Sequence, residues 1–216
     1  MENVHVIDHP LIRHSLTRLR DVSTRPQEFR AITTRLTGLL AYEATRDLRV
    51  KSVPVQTPLQ PTTGSQLAGR IGIIPILRAG LGMAESLLQM IPAAEVWHLG
   101  FYRDESTLEP VVYYNKLPLA EPVDVGILVD PMLATGGSGA AAIRAVHEWG
   151  VARIKFLAIL AAPEGIAVLK GLSPDIEIYV CAVDERLNDQ GYIVPGLGDA
   201  GDRMFNTRWE DVDPAP

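Results

Sequence analysis

The sequence predicts an α/β fold in which a central parallel sheet is flanked by helices. Short apolar runs at Ile71–Leu77, Val125–Val129 and Ile154–Leu160 have the length and continuity of strands that are buried on both faces. Segments with helical periodicity separate these runs, as in a chain that alternates strand and helix. Glycine-rich polar stretches follow the first two runs, where open parallel sheets form their ligand crevice.

The N-terminal part of the chain predicts two helices and an arm. Helical spacing relates Leu11, Ser15, Leu16 and Leu19. Pro26 suits a first helical position, and an apolar stripe at helical spacing follows it: Phe29, Ile32, Leu36, Leu39 and Leu40. The proline-containing run Val50–Pro61 predicts a short edge hairpin or an extended linker.

The remaining elements complete the alternating pattern. Helices are predicted at Met83–Met90, Gly139–Trp149 and Gly165–Leu169, and Gly150 is placed to end the second of them. Further strands are predicted at Glu95–Tyr102, Val111–Tyr114 and Ile176–Val180, the middle one in a hairpin. From Asp184 onward the chain is rich in Gly and Asp, which is typical of a long functional loop.

Composition narrows the classes of protein. The 216 residues fit one domain, and the net charge of −6 gives no bulk attraction to nucleic acid or membrane. An anionic ligand must therefore be held by a local arrangement. Cys181 is the only cysteine, which excludes an internal disulfide and suits a reducing compartment. Since no apolar run is long enough for a membrane helix or a signal peptide, we expect a soluble cytoplasmic protein.

The segment Gly126–Ser138 has the pattern of a phosphate site. A buried strand ends there, a short loop follows, and a helix begins near Ser138. The backbone N–H groups of Thr135, Gly136 and Gly137 would stand at the helix N-terminus, where donors and the helix dipole favour an anion. The hydroxyl groups of Thr135 and Ser138 add further donors.

Asp130 makes this segment more specific, because a phosphate alone needs no carboxylate. A carboxylate one loop away suits the hydroxyl groups of a ribose. The alternative is a plain strand-to-helix turn in which Ser138 caps the helix. The segment is neither a Walker A loop, since no Lys follows the second glycine, nor a dinucleotide fingerprint, since the glycine spacing differs.

Four segments, in register along nearly the whole chain, resemble the uracil phosphoribosyltransferase family. Val129–Ser138 resembles the family's motif for phosphoribosyl pyrophosphate (PRPP), and Pro75–Met83 its pyrophosphate loop. Leu99–Glu105 is similar to an arginine-bearing segment and Gly191–Arg203 to the uracil loop. The opening Val6–Ile12 also matches. The resemblance implies a type I phosphoribosyltransferase fold, which is Rossmann-like.

The resemblance assigns residues to each ligand. PRPP binding is expected from Arg78, Arg103, Asp130, Pro131, Met132, Leu133, Ala134, Thr135, Gly136, Gly137, Ser138 and Asp199. Uracil binding is expected from Ile193, Gly198, Asp199 and Ala200. Catalytic electrostatics are expected from Arg78, Arg103 and Asp199. We expect one domain over 1–216, with N-terminal helices and arm at 1–69, the α/β core at 70–182 and the uracil loop and tail at 183–216.

Both arginines also have a plainer interpretation. Arg78 follows a buried strand beside glycines, where a guanidinium could clamp pyrophosphate oxygens; the alternative is a surface arginine on a turn. In related enzymes this loop often holds a cis peptide bond. Arg103 stands next to Asp104 and Glu105, so its alternative is a solvated charge cluster.

The resemblance implies a glycosyltransferase that converts uracil and PRPP to UMP and diphosphate in pyrimidine salvage. It further implies Mg²⁺ carried on PRPP with no direct protein ligand, activation by GTP and homodimers or larger homo-oligomers. Nucleic-acid and membrane partners are not expected. Two alternatives stay open: a sister phosphoribosyltransferase that uses another base, and a regulator that keeps the fold but binds RNA. The net charge of −6 argues against the regulator.

Overall fold

A computed structural model describes residues 3–103, 110–118 and 120–207. The helices are α1 (Pro10–Arg20), α2 (Pro26–Ala44), α3 (Leu81–Met90), α4 (Gly137–Trp149), α5 (Pro163–Leu172) and α6 (Ala200–Phe205). The strands are β1 (Val4–Val6), β2 (Val50–Gln56), β3 (Pro61–Leu67), β4 (Ile71–Leu77), β5 (Glu95–Val96), β6 (Leu99–Arg103), β7 (Pro110–Asn115), β8 (Val125–Val129), β9 (Met132–Leu133), β10 (Arg153–Ala161), β11 (Glu177–Val183), β12 (Arg186–Leu187) and β13 (Ile193–Val194).

The central sheet has the strand order β1-β11-β10-β8-β4-β6-β7, with β5 paired to β4 and β9 paired to β10. Its strands are parallel except for the antiparallel pair β6–β7. The predicted fold class is thereby confirmed. Because β4, β8 and β10 run the same way, the loops that follow them emerge at one edge of the sheet.

Both faces of the sheet are covered, which explains the continuous apolar runs of its central strands. Ile73 and Ile127 face a cluster formed with α1, α2 and α3, whereas their neighbours Ile74 and Leu128 face a second cluster formed with α4 and α5. Alternation is a property of every strand, but here both sets of side chains are apolar because both meet helices. Each fully buried Ile or Leu contributes about 1.5–3 kcal/mol.

Some elements differ from the prediction. β1 was not predicted, because a three-residue strand shows no periodicity; it pairs with β11 and stacks the ring of His5 on that of Tyr179 at 4.5 Å. The predicted strand Glu95–Tyr102 is split into β5 and β6 at Trp97, whose N–H bonds to the carbonyl of Ile73. The arm 50–67 is a hairpin, paired within itself rather than with the central sheet.

A buried lysine joins α2 to the sheet at the end opposite to the loops. Lys155 in β10 is fully buried, and its Nζ donates to the carbonyl of Ala44 at 2.6 Å and to Oδ1 of Asp47 at 2.7 Å. Glu177 lies 3.2 Å from the same nitrogen. Burial opposes ionisation of Asp47, but hydrogen bonds and charges from Lys155 and Arg153 lower its pKa.

Within the described residues, no helix is long and apolar enough to cross a membrane.

We predict that Asp47→Asn lowers the free energy of unfolding near neutral pH by about 1–2 kcal/mol, because Lys155 loses a charged partner and the exposure of Asp47 screens the pair. A carboxyl whose pKa is lower in the folded state stabilises the fold at pH values above its unfolded pKa of 3.8. That contribution is lost as the pH falls through the folded pKa. Urea unfolding should therefore show the two proteins converging in acid.

The matched control is Glu43→Gln, which removes an exposed ion pair with Arg46 one turn away. It should change the unfolding free energy by less than about 0.5 kcal/mol. Equal losses in the two variants would contradict a special role for the buried lysine.

Candidate active site

The loop after β8, residues 130–138 and called the phosphate loop below, leads directly into α4. Gly136 is the N-cap of this helix with φ +81°, and a Cβ there would lie 2.9 Å from the Cβ of Val168. The position therefore requires glycine. Because the helix begins at Gly137 without a side-chain cap, the alternative in which Ser138 caps it is wrong. Ser138 lies in the first turn, among N–H groups that have no partner within the helix.

The main chain of the phosphate loop is fixed to β10. The carbonyl of Pro131 accepts from the N–H groups of Ile159 and Leu160, both at 3.0 Å. Met132 and Leu133 form β9, and the carbonyl of Leu133 accepts from Ala162 at 2.9 Å. Pro131 and Leu133, both predicted as ligand-binding residues, thus also anchor the loop.

A cavity of about 250 Å³ lies between the phosphate loop and the chain from 184 to 207, called the C-terminal segment below. Met132, Ala134 and Thr135 line one side. The C-terminal segment lines the other with Gln190, Gly191, Tyr192, Ile193, Gly198, Asp199 and Ala200. The structure therefore brings Met132, Ala134 and Thr135, which are predicted for PRPP, to one cavity with all the residues predicted for uracil. Their roles in binding stay predictions.

Arg78 also comes to this region. It follows β4 directly, after a cis peptide bond between Leu77 and Arg78. Its guanidinium Nη2 donates to Oδ1 of Asp202 at 3.1 Å, while 57% of the side chain stays exposed. Arg103 ends β6, but its side chain lies outside the described part of the chain. The predicted partnership of the two arginines is therefore untested.

Asp199 begins the short helix α6. Its carboxylate accepts from the N–H of Asp202 at 2.8 Å, which makes it the N-cap. The carboxylate of Asp202, one turn later, accepts from Arg78 and from the hydroxyl of Thr207. Asp199, which is predicted to contact both ligands, thus lines the cavity and also caps the helix that contacts Arg78.

Asp130 has an unusual charge state. Desolvation at the end of β8 raises its pKa to about 7; a hydrogen bond from the N–H of Met132 opposes the shift, and the charge of Asp199 adds to it. Near neutral pH the carboxyl is therefore only partly ionised. A ligand that offers hydroxyl donors or positive charge would favour the carboxylate form.

Among the described residues, no group of three or more His, Cys, Asp and Glu side chains could hold a metal ion.

Sequence reasoning missed several residues of this region. Arg20 forms an ion pair with Asp184 at the start of the C-terminal segment, and Asp202 accepts a hydrogen bond from Arg78. A signal existed for Asp184, because it follows β11 directly, as Asp130 follows β8. No local pattern pointed to Arg20, whose contact with Asp184 spans most of the chain.

Comparison with known proteins gives consistent results. A family model described as uracil phosphoribosyltransferase matches residues 6–207. The chain is similar to a uracil phosphoribosyltransferase from Roseiflexus castenholzii, with 54% identity over 207 residues that cover 96% of this chain and 100% of the relative. A uracil phosphoribosyltransferase from Halalkalibacterium halodurans is 53% identical over 209 residues, with the same coverage of both chains.

Solved structures support the same fold. A protein from Aquifex aeolicus superposes with a TM-score of 0.90 and 38% identity, covering 95% of this chain and 99% of that one. An adenine phosphoribosyltransferase from Leishmania donovani has a TM-score of 0.58 at 14% identity, covering 88% of each chain. The second likeness shows the fold alone.

We predict that Asp130→Asn raises the free energy of unfolding of the ligand-free protein in mild alkali. A carboxyl whose folded pKa is raised destabilises the fold progressively from its unfolded value of 3.8 to about 7. The shift of about three units sets an upper bound of about 4 kcal/mol on the gain. Urea unfolding at about pH 8 should show it, and the two proteins should converge at about pH 4.

Asp175→Asn is the matched control, since it removes an exposed carboxylate far from the cavity. It should change stability little at either pH. A destabilised Asp130→Asn protein in alkali would show that the carboxylate is well solvated or paired.

Proposed function

This chain belongs to the uracil phosphoribosyltransferase family, and we propose that the cavity between the phosphate loop and the C-terminal segment is where it joins uracil to PRPP. The products are UMP and diphosphate, as in pyrimidine salvage. The observation that carries the proposal is the meeting of Ala134 and Thr135 with Ile193 and Asp199 around one cavity. A phosphate held by the first pair places its sugar beside a base held by the second.

The phosphate loop would bind the 5′-phosphate of PRPP. Its N–H groups lie at the N-terminus of a 13-residue helix, where the helix dipole and donors that have no partner within the helix favour an anion. The hydroxyls of Thr135 and Ser138 add donors. Asp130, at the start of the loop, would accept hydrogen bonds from the ribose hydroxyls, which also favours its ionised form. These contacts would orient the ribose so that C1 faces the base.

Arg78 and Arg103 would stabilise the pyrophosphate as it leaves. We propose that N1 of uracil displaces pyrophosphate at C1 through a transition state that resembles an oxocarbenium ion. Negative charge then grows on the leaving group, and a guanidinium placed there stabilises the transition state more than the ground state. The exposure of Arg78 supports this role, since its guanidinium can exchange Asp202 for a ligand.

The C-terminal segment would read the base through its main chain. Uracil is small, planar and neutral, and the backbone of Ile193, Gly198 and Ala200 at the cavity offers N–H and C=O groups without a charged side chain. Specificity based on paired polar groups is sharp, because a base with the wrong edge leaves buried groups unpaired. Cytosine should therefore be a poor substrate.

Magnesium would enter on the oxygens of PRPP. Asp130 and Asp199 bring two carboxylates to the region, close enough for the charge of one to raise the pKa of the other, and their negative charge would favour a cation that is held on PRPP without a direct protein ligand. When bound, the ion would supply positive charge to the leaving diphosphate.

We further propose activation by GTP, assembly into homo-oligomers and a cytoplasmic location. Activation by GTP rests on the family resemblance. A homodimer or larger homo-oligomer is supported by the arm β2–β3, which exposes Val50, Val55, Leu59 and Leu67. A cytoplasmic location is supported by a single cysteine, Cys181, that is buried as a free thiol.

The proposed activity is tested by following UMP formation from uracil and labelled PRPP, with and without Mg²⁺ and GTP. We expect UMP only when uracil, PRPP and Mg²⁺ are present. A panel of adenine, hypoxanthine, cytosine and uracil then tests the base. Turnover of another base with no turnover of uracil would overturn the proposal.

We predict that Arg78→Ala lowers kcat for UMP formation by about 10²–10³-fold, because a donor to the developing charge is removed. Steady-state kinetics of the purified variant measure this directly. Arg46→Ala is the control, since Arg46 pairs with Glu43 on an exposed helix end, and it should retain wild-type turnover. An Arg78→Ala protein with normal kcat would remove this arginine from the mechanism.

A further inference from the structure

We propose that Arg20 and Asp184 are positioning residues for the pyrimidine, acting through the main chain of Gly196. The inference rests on the proposed function, because it concerns how the segment that reads uracil is held. Neither residue lines the cavity between the phosphate loop and the C-terminal segment. Asp184 begins that segment and Arg20 ends α1, and both side chains contact the segment at Gly196.

The two side chains form a two-point ion pair. Nη1 of Arg20 donates to Oδ2 of Asp184 at 2.7 Å, and Nη2 donates to Oδ1 at 2.6 Å. The side chain of Asp184 is 5% exposed and that of Arg20 is 26% exposed. Parallel hydrogen bonds of this kind fix the relative orientation of both planes as well as their distance.

The ion pair binds both polar groups of one residue. Oδ2 of Asp184 accepts from the N–H of Gly196 at 2.9 Å. Nη1 of Arg20 donates to the carbonyl of Gly196 at 2.8 Å. Because the N–H and C=O groups of Gly196 are both hydrogen-bonded to the ion pair, its peptide groups cannot rotate or move without breaking a charge-assisted hydrogen bond.

Gly196 is the point at which the segment reverses. Its φ is +59°, and a Cβ there would lie 2.0 Å from the carbonyl oxygen of Ile193. The turn brings Ile193, before it, and Gly198, after it, to the same cavity. The Arg20–Asp184 ion pair, called the clamp below, therefore holds the middle of this turn. The residues on either side of the turn are those proposed to bind the base.

Stability alone does not account for such a pair. Desolvation of two charges roughly cancels their attraction, so an apolar pair of similar size would stabilise the fold as well. What the pair adds is the position of the turn. Main-chain groups that bind the base must be placed to within about 0.5 Å, so a displaced turn weakens their hydrogen bonds to uracil and lowers its affinity.

The test uses Arg20→Met and Asp184→Asn, each assayed for UMP formation with one substrate varied at a time. We expect KM for uracil to rise by about 10- to 100-fold while KM for PRPP stays within about twofold, because the phosphate loop, which carries most of the residues predicted for PRPP, is untouched. The preference for uracil over cytosine should fall as well. Arg20→Lys keeps the charge but not the two-point contact, so it should show the same selective rise and serves if Arg20→Met does not fold.

Arg18→Met and Glu28→Gln are the matched controls, because they break an exposed ion pair between α1 and α2. Both should keep wild-type KM values. If the clamp variants lose kcat with both KM values unchanged, the pair is merely structural and the proposal is overturned. Wild-type protein that makes no UMP would instead overturn the proposed function, so the two failures can be told apart.

Discussion

Hydrogen bonds from arginine side chains to main-chain carbonyls hold the C-terminal segment against the first two helices. Arg30 in α2 donates to the carbonyl of Met204 at 2.7 Å. Arg203 donates to the carbonyls of Leu19 and Leu197 at 2.8 and 2.7 Å, and its guanidinium lies over the ring of Phe29. Because the segment forms one wall of the cavity, the shape of the cavity depends on helices that take no part in the chemistry.

The phosphate loop, on the other side of the cavity, combines two opposing electrostatic requirements. A protein of net charge −6 must bind an anionic sugar phosphate, so attraction has to come from N–H groups and from a few arginines near the loop. At the same place Asp130 is desolvated, with its pKa raised to about 7. A carboxylate that is costly in the ligand-free protein would become favourable once hydroxyl groups or a cation pair with it.

The sequence was enough to predict most of the fold, but not the long-range contacts that hold the site in place. Ile71–Leu77 and Val125–Val129 were recognised because strands covered on both faces give unbroken apolar runs. The phosphate loop was recognised because glycines before a helix have a local pattern. The pairing of Arg20 with Asp184 has none, since the residues are 164 positions apart. Likewise β1 is too short for periodicity, and its place at the sheet edge follows only from pairing with β11.

The phosphate loop is fixed by main-chain hydrogen bonds, whereas the side chain of Arg78 is exposed. The phosphate loop is tied to β10 through the carbonyls of Pro131 and Leu133, so it needs little movement to receive a ligand. Arg78 is different, because its exposed guanidinium donates to Asp202. If Arg78 turned to a pyrophosphate as proposed, the carboxylate of Asp202 would keep the hydrogen bond from the hydroxyl of Thr207 at 2.6 Å. The exchange therefore leaves no bare buried charge, and ligand binding can recruit the arginine without disturbing the scaffold that positions the sugar.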